Sequence, residues 1–293
     1  WRLAFGSCAK EDAQPIFGPL LASAPDLMLF IGDNHYGNAS ELGDLRQFYR
    51  HAHTRPLRAD LMSRTATIAT WDDHDYVGNN TDGTAPGKDI ALRVFQEYWA
   101  NGSYGADGVA GVFSVQHMAD VDIFLLDDRY WRGLDDSILG DAQEAWLMDA
   151  LGASTATFKV LASGSQWTPD GSSDSWGAYP AAWDRFRQSL VDGGVEGVVL
   201  LSGDIHSSEL RLLDGGPGGY DLPELTSSPL ATWNGTCGNE ADVLACVNDG
   251  AFFMTVDFDT TLPDPSLTAT IVDVAGAARA EWTILRSELA VGR

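Results

Sequence analysis

Positive charge is scarce in this 293-residue chain: 18 Lys and Arg stand against 42 Asp and Glu, a formal net charge of −24. Such a surface repels nucleic-acid backbones, so binding to DNA or RNA is disfavoured. No amphipathic cationic helix suited to an anionic membrane surface is present. Long apolar runs are missing too: stretches such as "LMLFI" fall far short of the roughly 20 residues that a spanning helix needs. Cysteine is sparse, with three residues, but a chain of this size can bury a sizeable core without staples. There is no repeat of fixed period and no clear linker. The chain starts at Trp1 without Met and shows no signal peptide, which fits a mature secreted or periplasmic protein and fits a trimmed chain equally well.

What is present indicates a globular protein, with 44% hydrophobic residues and ten Trp. The acids are scattered along the chain. They read as a solvating surface, or, for some of them, as cation ligands. Cys237 and Cys246 flank "GNEADVLA" and could close a local disulfide, which would imply an oxidising compartment; Cys8 is left over.

Residues 1–8, 27–31, 65–71, 121–128 and 157–167 read as strands, as does the most hydrophobic one within 195–210, which ends in Gly-Asp; 111–131 form a hairpin. Residues 12–24, 43–64, 90–105, 140–154 and 183–194 carry helical spacing, the fourth opening on Asp141 as a capping residue. Residues 77–89 read as a loop from their Gly, Asn and Asp content. From about residue 250 the pattern alternates as antiparallel strands do. The order β-α-β-α-β followed by a strand-rich part predicts one domain over 1–293 with two sheets and outer helices.

Several predicted strands end in residues competent to hold a metal: Cys8 after "FGS", Asp33 and Tyr36 in "FIGDNHY", Asp72, Asp73, His74 and Asp75 in "TWDDHD", and Asp204 and His206 in "LSGDIH". Taken singly, a Gly-Asp is an ordinary turn or cap, a strand-end Cys is packing, and "DDHD" is a solvated turn. Taken together, they sit where α/β sheets bind ligands, at the carboxyl ends of strands. Several carboxylates in one cleft cannot all stay ionised unaided, and a metal is the economical answer. Thiolate and phenolate suit Fe(III), and carboxylates suit Ca²⁺, Mg²⁺ or Mn²⁺. A mixed set points to two unlike metals, which can clamp a phosphoryl centre between them.

The motifs "GSC", Gly32-Asp33-x-x-Tyr36, "WDDHD" followed by "NN", "LLDDRYWR", "DSWGAYP" and "LSGDIHSSEL" run in order from about residue 3 to about 230. Together they resemble the PhoD-like alkaline phosphatase/phosphodiesterase family of the calcineurin-like metallophosphoesterase superfamily. The resemblance implies a four-layer α/β/β/α sandwich with two mixed sheets and a dinuclear metal site at the strand ends. It implies Fe(III) and Ca²⁺ as cofactors, with other divalent metals left open. Carried over by position, Cys8, Asp33, Tyr36 and His206 match the iron ligands, with Asp33 bridging, and Asp73 and Asp204 match ligands on the calcium side. His74 resembles the histidine that contacts the phosphoryl oxygen or protonates the leaving group. Asn79 matches an Asn that contacts substrate or the second metal. Arg129 is read either as a phosphate contact or as a structural ion pair with Asp127 or Asp128. His35 departs from the family pattern and is read either as an added substrate contact or as a solvent-facing side chain. The chain also lacks the β-rich N-terminal extension of some relatives, which would leave the cleft more open.

The expected activity is hydrolysis of small phosphate monoesters or diesters by a metal-supplied hydroxide, with a phospholipase D-like phosphodiesterase as the variant on the same site. The reading from a different class, a non-catalytic secreted Ca²⁺-binding protein, gives no reason for Cys8 and Tyr36 to stand where they do.

Overall fold

The computed structural model describes residues 1–134, 136–168 and 174–291. In chain order the strands are β1 (Arg2–Gly6), β2 (Leu27–Ile31), β3 (Ala66–Thr70), β4 (Ser114–Met118), β5 (Val121–Leu125), β6 (Phe158–Ala162), β7 (Val198–Ser202), β8 (Ser208–Leu213), β9 (Leu222–Thr226), β10 (Val243–Val247), β11 (Phe252–Asp259), β12 (Ser266–Asp273) and β13 (Ala278–Leu285). The helices are α1 (Phe17–Ala22), α2 (Leu42–His53), α3 (Pro56–Arg64), α4 (Asp73–Tyr76), α5 (Lys88–Tyr98), α6 (Asp141–Ala153) and α7 (Pro180–Asp192).

The strands form two mixed sheets. One has six strands in the order β13-β12-β11-β1-β2-β3, and the other seven in the order β10-β8-β9-β7-β6-β5-β4. In the first, β1, β2 and β3 are parallel; in the second, β5, β6, β7 and β9 are. Alternation along β2 shows how the layers stack, because successive side chains point to opposite faces. Leu27, Leu29 and Ile31 join the core shared with the second sheet, while Met28 and Phe30 join the one under α1, α2, α3 and α5. Residues of α6 and α7 pack with the second sheet. The result is the predicted sandwich of helices outside two facing sheets. No helix among the described residues is long and apolar enough to cross a membrane.

Several local expectations change. The helix expected over 43–64 is two, because Thr54 and Arg55 leave helical geometry and Pro56 opens α3, a first-turn position that needs no N–H. Asp141 is the first residue of α6 rather than its cap; Gly140 precedes it. The "DDHD" segment coils into the short helix α4. Strands β8, β9 and β10 were not anticipated. Buried Glu209 and Arg211 pair at 2.6 Å within β8, and buried Glu224 in β9 accepts from Trp167 N–H, Thr168 and Ser202, so β8 and β9 carry charged residue types that mask their burial. The Cys237–Cys246 disulfide is formed.

Candidate metal centre

The carboxyl ends of β1, β2 and β3 in one sheet meet the end of β7 in the other. Ser7 N–H donates to the Ser227 carbonyl at 3.1 Å, and Cys8 N–H to that of Gly32 at 3.4 Å. The Thr70 hydroxyl donates to the Leu126 carbonyl at 2.6 Å. Glycine permits the closest approaches: a Cβ on Gly32 would stand 2.6 Å from Asp72 Cβ, and one on Gly203 2.5 Å from Ser7 Oγ. Each Gly-Asp pair thus divides two tasks, with Gly allowing the strand ends to touch and Asp facing the junction. Cys8, Asp33, Asp204 and His206 all have positive φ, from 51° to 67°. Four strained non-glycine residues gathered at the strand ends are held there by the surrounding structure.

Five side chains form two overlapping groups. Ligand atoms of Cys8, Asp33 and His206 lie within 4.8 Å of one another, and so do those of Asp33, Asp73 and His74. Asp33 belongs to both. Cys8 Sγ is 3.6 Å from Asp33 Oδ2, and the Tyr36 phenol is 3.0 Å from His206 Nε2. The Asp204 carbonyl lies 3.7 Å from Cys8 Sγ. Its carboxyl is in neither close group, although the charges of Asp73 and Asp174 act on it.

Electrostatics favour a cation here. Burial, then the charges of Asp73, Asp75 and Asp204, pushes the Asp33 carboxyl well up. Burial raises Asp204 to about 7, helped by Asp73 and Asp174, and raises Asp75 to about 8. The Cys8 thiol and Tyr36 phenol are also raised by burial and by neighbouring negative charge. For Asp73, burial is outweighed by Arg129, His74 and the Asn80 N–H, and its carboxyl is lowered. Burial depresses His206 to about 4 and also lowers His74, so both rings are neutral near pH 7 and able to ligate. Asp73 Oδ1 is buried without a hydrogen-bond partner, while Asp73 Oδ2 accepts from Asn80 N–H at 2.7 Å. Crowded acids, neutral imidazoles and an orphaned buried oxygen fit a pair of metal ions.

The other anticipated residues are placed differently. Arg129 is fully buried. Its Nε donates to Asp72 Oδ1 at 2.6 Å, and its terminal nitrogens to Asp174 at 3.0 and 2.8 Å and to Ser165 at 3.0 Å. Saturated in this way, it is not open to a phosphate, and its main partners are Asp72 and Asp174 rather than the neighbouring acids in sequence. His35 is not solvent-facing: it is buried, edge-on to Tyr49 at 4.3 Å and stacked near Phe48 at 5.8 Å. Asn79 is exposed with its amide on the Asn80 side chain, and the group touching Asp73 is the Asn80 N–H. His74 stands with Asp33 and Asp73, its Nδ1 2.5 Å from Asn38 Oδ1.

Sequence reasoning missed Asn38, Lys10 and Trp233. Trp233 lies edge-on to His206 at 4.6 Å, and the Lys10 ammonium is 4.4 Å from the Trp233 ring centre. Nothing in the local sequence marks a loop Trp nearly 200 positions from Tyr36 as its neighbour.

Known proteins share the fold and the family. The chain is 28% identical over 260 residues to alkaline phosphatase D of Bacillus subtilis (strain 168), an alignment covering 70% of this chain and 43% of that protein. It thus spans less than half the length of that relative. The solved structure of PhoD superposes with a TM-score of 0.73 at 20% identity, covering all of this chain and 71% of that one. A purple acid phosphatase from yellow lupin (Lupinus luteus) seeds superposes at 0.70 with 11% identity, covering 97% of this chain and 53% of that one. A dimetal phosphatase from Danio rerio superposes at 0.59 with 11% identity, covering 98% and 99%. These structures share the fold. The model of the PhoD-like phosphatases matches residues 3–237, which include every strand end of the metal centre, and the chain belongs to that family.

Proposed function

We propose that the chain is a metal-dependent hydrolase of phosphate esters, with Fe(III) on the side of Cys8, Tyr36 and His206, Ca²⁺ on the side of Asp73 and Asp204, and Asp33 shared. The observation that carries this reading is the place of Asp33 in both ligand groups. Thiolate and phenolate donors favour a highly charged transition ion, and carboxylates favour a hard cation. When bound, such ions polarise phosphoryl oxygens and acidify water.

The chain's own groups then have distinct tasks. Asn38 Oδ1 accepts from His74 Nδ1–H, which leaves Nε2 as the nitrogen that exchanges a proton in the cleft. His74 is the residue we assign to the phosphoryl oxygen and the leaving group. Its lowered basicity leaves Nε2 unprotonated near neutral pH, so His74 would take up the proton that the attacking water gives up and pass it to the leaving oxygen. Arg129 is a positioning residue: by pinning Asp72 and Asp174 it fixes the turn that presents Asp73 and His74. The disulfide supports an oxidising location, so we place the protein as secreted or periplasmic. Residues 1–293 are proposed to act as one catalytic domain on small phosphate esters.

The test combines a visible absorption spectrum, metal analysis and turnover of p-nitrophenyl esters on one preparation. The expected result is a coloured protein holding iron and calcium, with Asp33→Asn losing colour, metal and activity together. Full activity in Asp33→Asn would refute the shared-ligand assignment. A colourless protein that stays colourless after reloading with Fe(III) would remove iron from the proposal.

A further inference from the structure

We propose that Lys10 and Trp233 form an anion-recognising rim at the mouth of the metal centre that favours phosphomonoester dianions over diesters, an inference that rests on the hydrolase reading. Lys10 follows Cys8 by two residues and is exposed. Its ammonium lies 4.4 Å from the Trp233 ring centre and 5.7 Å from that of Tyr36. Trp233 is 54% exposed, although it contacts His206 at 4.6 Å and Tyr36 at 6.3 Å. A large aromatic ring that touches two metal-competent residues and still faces solvent forms a wall of the cleft rather than part of the core.

Lys10 is unusual among the lysines. Lys88 Nζ donates to the Gly83 and Tyr130 carbonyls, and Lys159 Nζ to those of Ala156 and Glu196. Among the described residues the Lys10 ammonium has no acid or carbonyl partner, in a chain where acids outnumber cations 42 to 18. The two loops are fastened to each other: Ala231 N–H donates to the Cys8 carbonyl at 2.9 Å, and Glu11 N–H to that of Ala231 at 2.8 Å. Arg55 and Gln14 further anchor the Ala9 carbonyl, each at 3.0 Å. The rim is therefore set before any ligand arrives.

An ammonium on a flexible stem, steadied by aromatic faces and free of acids, is suited to a phosphate oxygen. At alkaline pH a monoester presents one more anionic oxygen than a diester, in which a second substituent removes that charge. Lys10 answers this extra charge.

The test compares Lys10→Met, Lys10→Arg and Trp233→Leu with the wild type. The readouts are kcat/KM on p-nitrophenyl phosphate and on bis(p-nitrophenyl) phosphate, metal content, and calorimetric binding of inorganic phosphate. Lys10→Met is expected to keep its metals and lose roughly 10- to 100-fold on the monoester, but less than about 3-fold on the diester. Phosphate binding should weaken by a similar factor, Lys10→Arg should recover most of the loss, and Trp233→Leu should show part of it. Equal losses on both esters, no loss, or unchanged phosphate affinity in Lys10→Met would overturn the proposal. If the wild type cleaves neither ester but binds phosphate in a Lys10-dependent way, the anion rim stands and the hydrolase reading falls. If the wild type binds no phosphate, the rim falls.

Discussion

At Arg129 one buried cation organises the acids behind the metal centre, bonding Asp72 and Asp174 and standing 4.0 Å from Asp128. Removing it would leave carboxylates buried without compensation. Arg129→Met should therefore destabilise the fold by about 3–5 kcal/mol, read from urea denaturation; a loss under about 1 kcal/mol would show that the cluster relaxes freely. A second residue-level prediction concerns His53. Its ring sits 4.8 Å from that of Trp99, and burial, then the Arg58 charge, holds it down to about 3. Below the ordinary imidazole value of about 6.5, the unfolded chain takes a proton that the folded ring refuses, so this group costs stability as pH falls toward 3. His53→Phe should move the acid-unfolding midpoint to lower pH. An unchanged midpoint would show that the ring charges without cost in the folded state.

Among the elements, the meeting of strand ends is the feature on which the site depends. Gly203 closes β7 against Ser7, and a Cβ there would press within 2.5 Å of the Ser7 hydroxyl. Gly203→Ala should cost about 1–3 kcal/mol and weaken metal retention, because it wedges β7 away from β1 next to Cys8 and Asp204. Thermal melts and metal content check this, and retention of both at wild-type levels would mean that the junction gives way elsewhere. Strand identity was legible where apolar runs were continuous, as in β2 and β7. It was not legible in β8 and β9, where Glu209, Arg211 and Glu224 are buried as partnered charges. Nor did helical spacing reveal the break at Pro56, since helix-forming residues run on both sides of it and α3 buries only Arg58 and Leu61.

Over the whole molecule, the excess of acid acts at two levels. On the surface it solvates and repels polyanions; at the strand ends it opposes folding unless a cation intervenes. Asp204 at about 7 and Asp75 at about 8 lie above the ordinary carboxyl value of about 3.9. Between those values the folded metal-free protein holds protons that the unfolded chain has released, so its stability falls as pH rises toward 8. Chelated protein should accordingly melt at lower temperature at pH 8.5 than at pH 6.5, and restored metal should raise the melting temperature more at pH 8.5. Calorimetry at both pH values checks this; equal recovery at both would show that the carboxyls are not neutralised by the ion.

Read in one dimension, the chain yields its layered α/β plan, because the alternation and apolar runs of the strands are local properties. It also supplied Cys8, Asp33, Asp73, His74 and His206, since strand-end placement and short motifs can be read along one dimension. Their surroundings came from folding. Arg129 became a saturated buried ion and His35 part of an aromatic core, because the partners of each, Asp174 and Tyr49 among them, arrive from other segments. Lys10 and Trp233 became neighbours for the same reason: the contact crosses two sheets, and no local pattern encodes it.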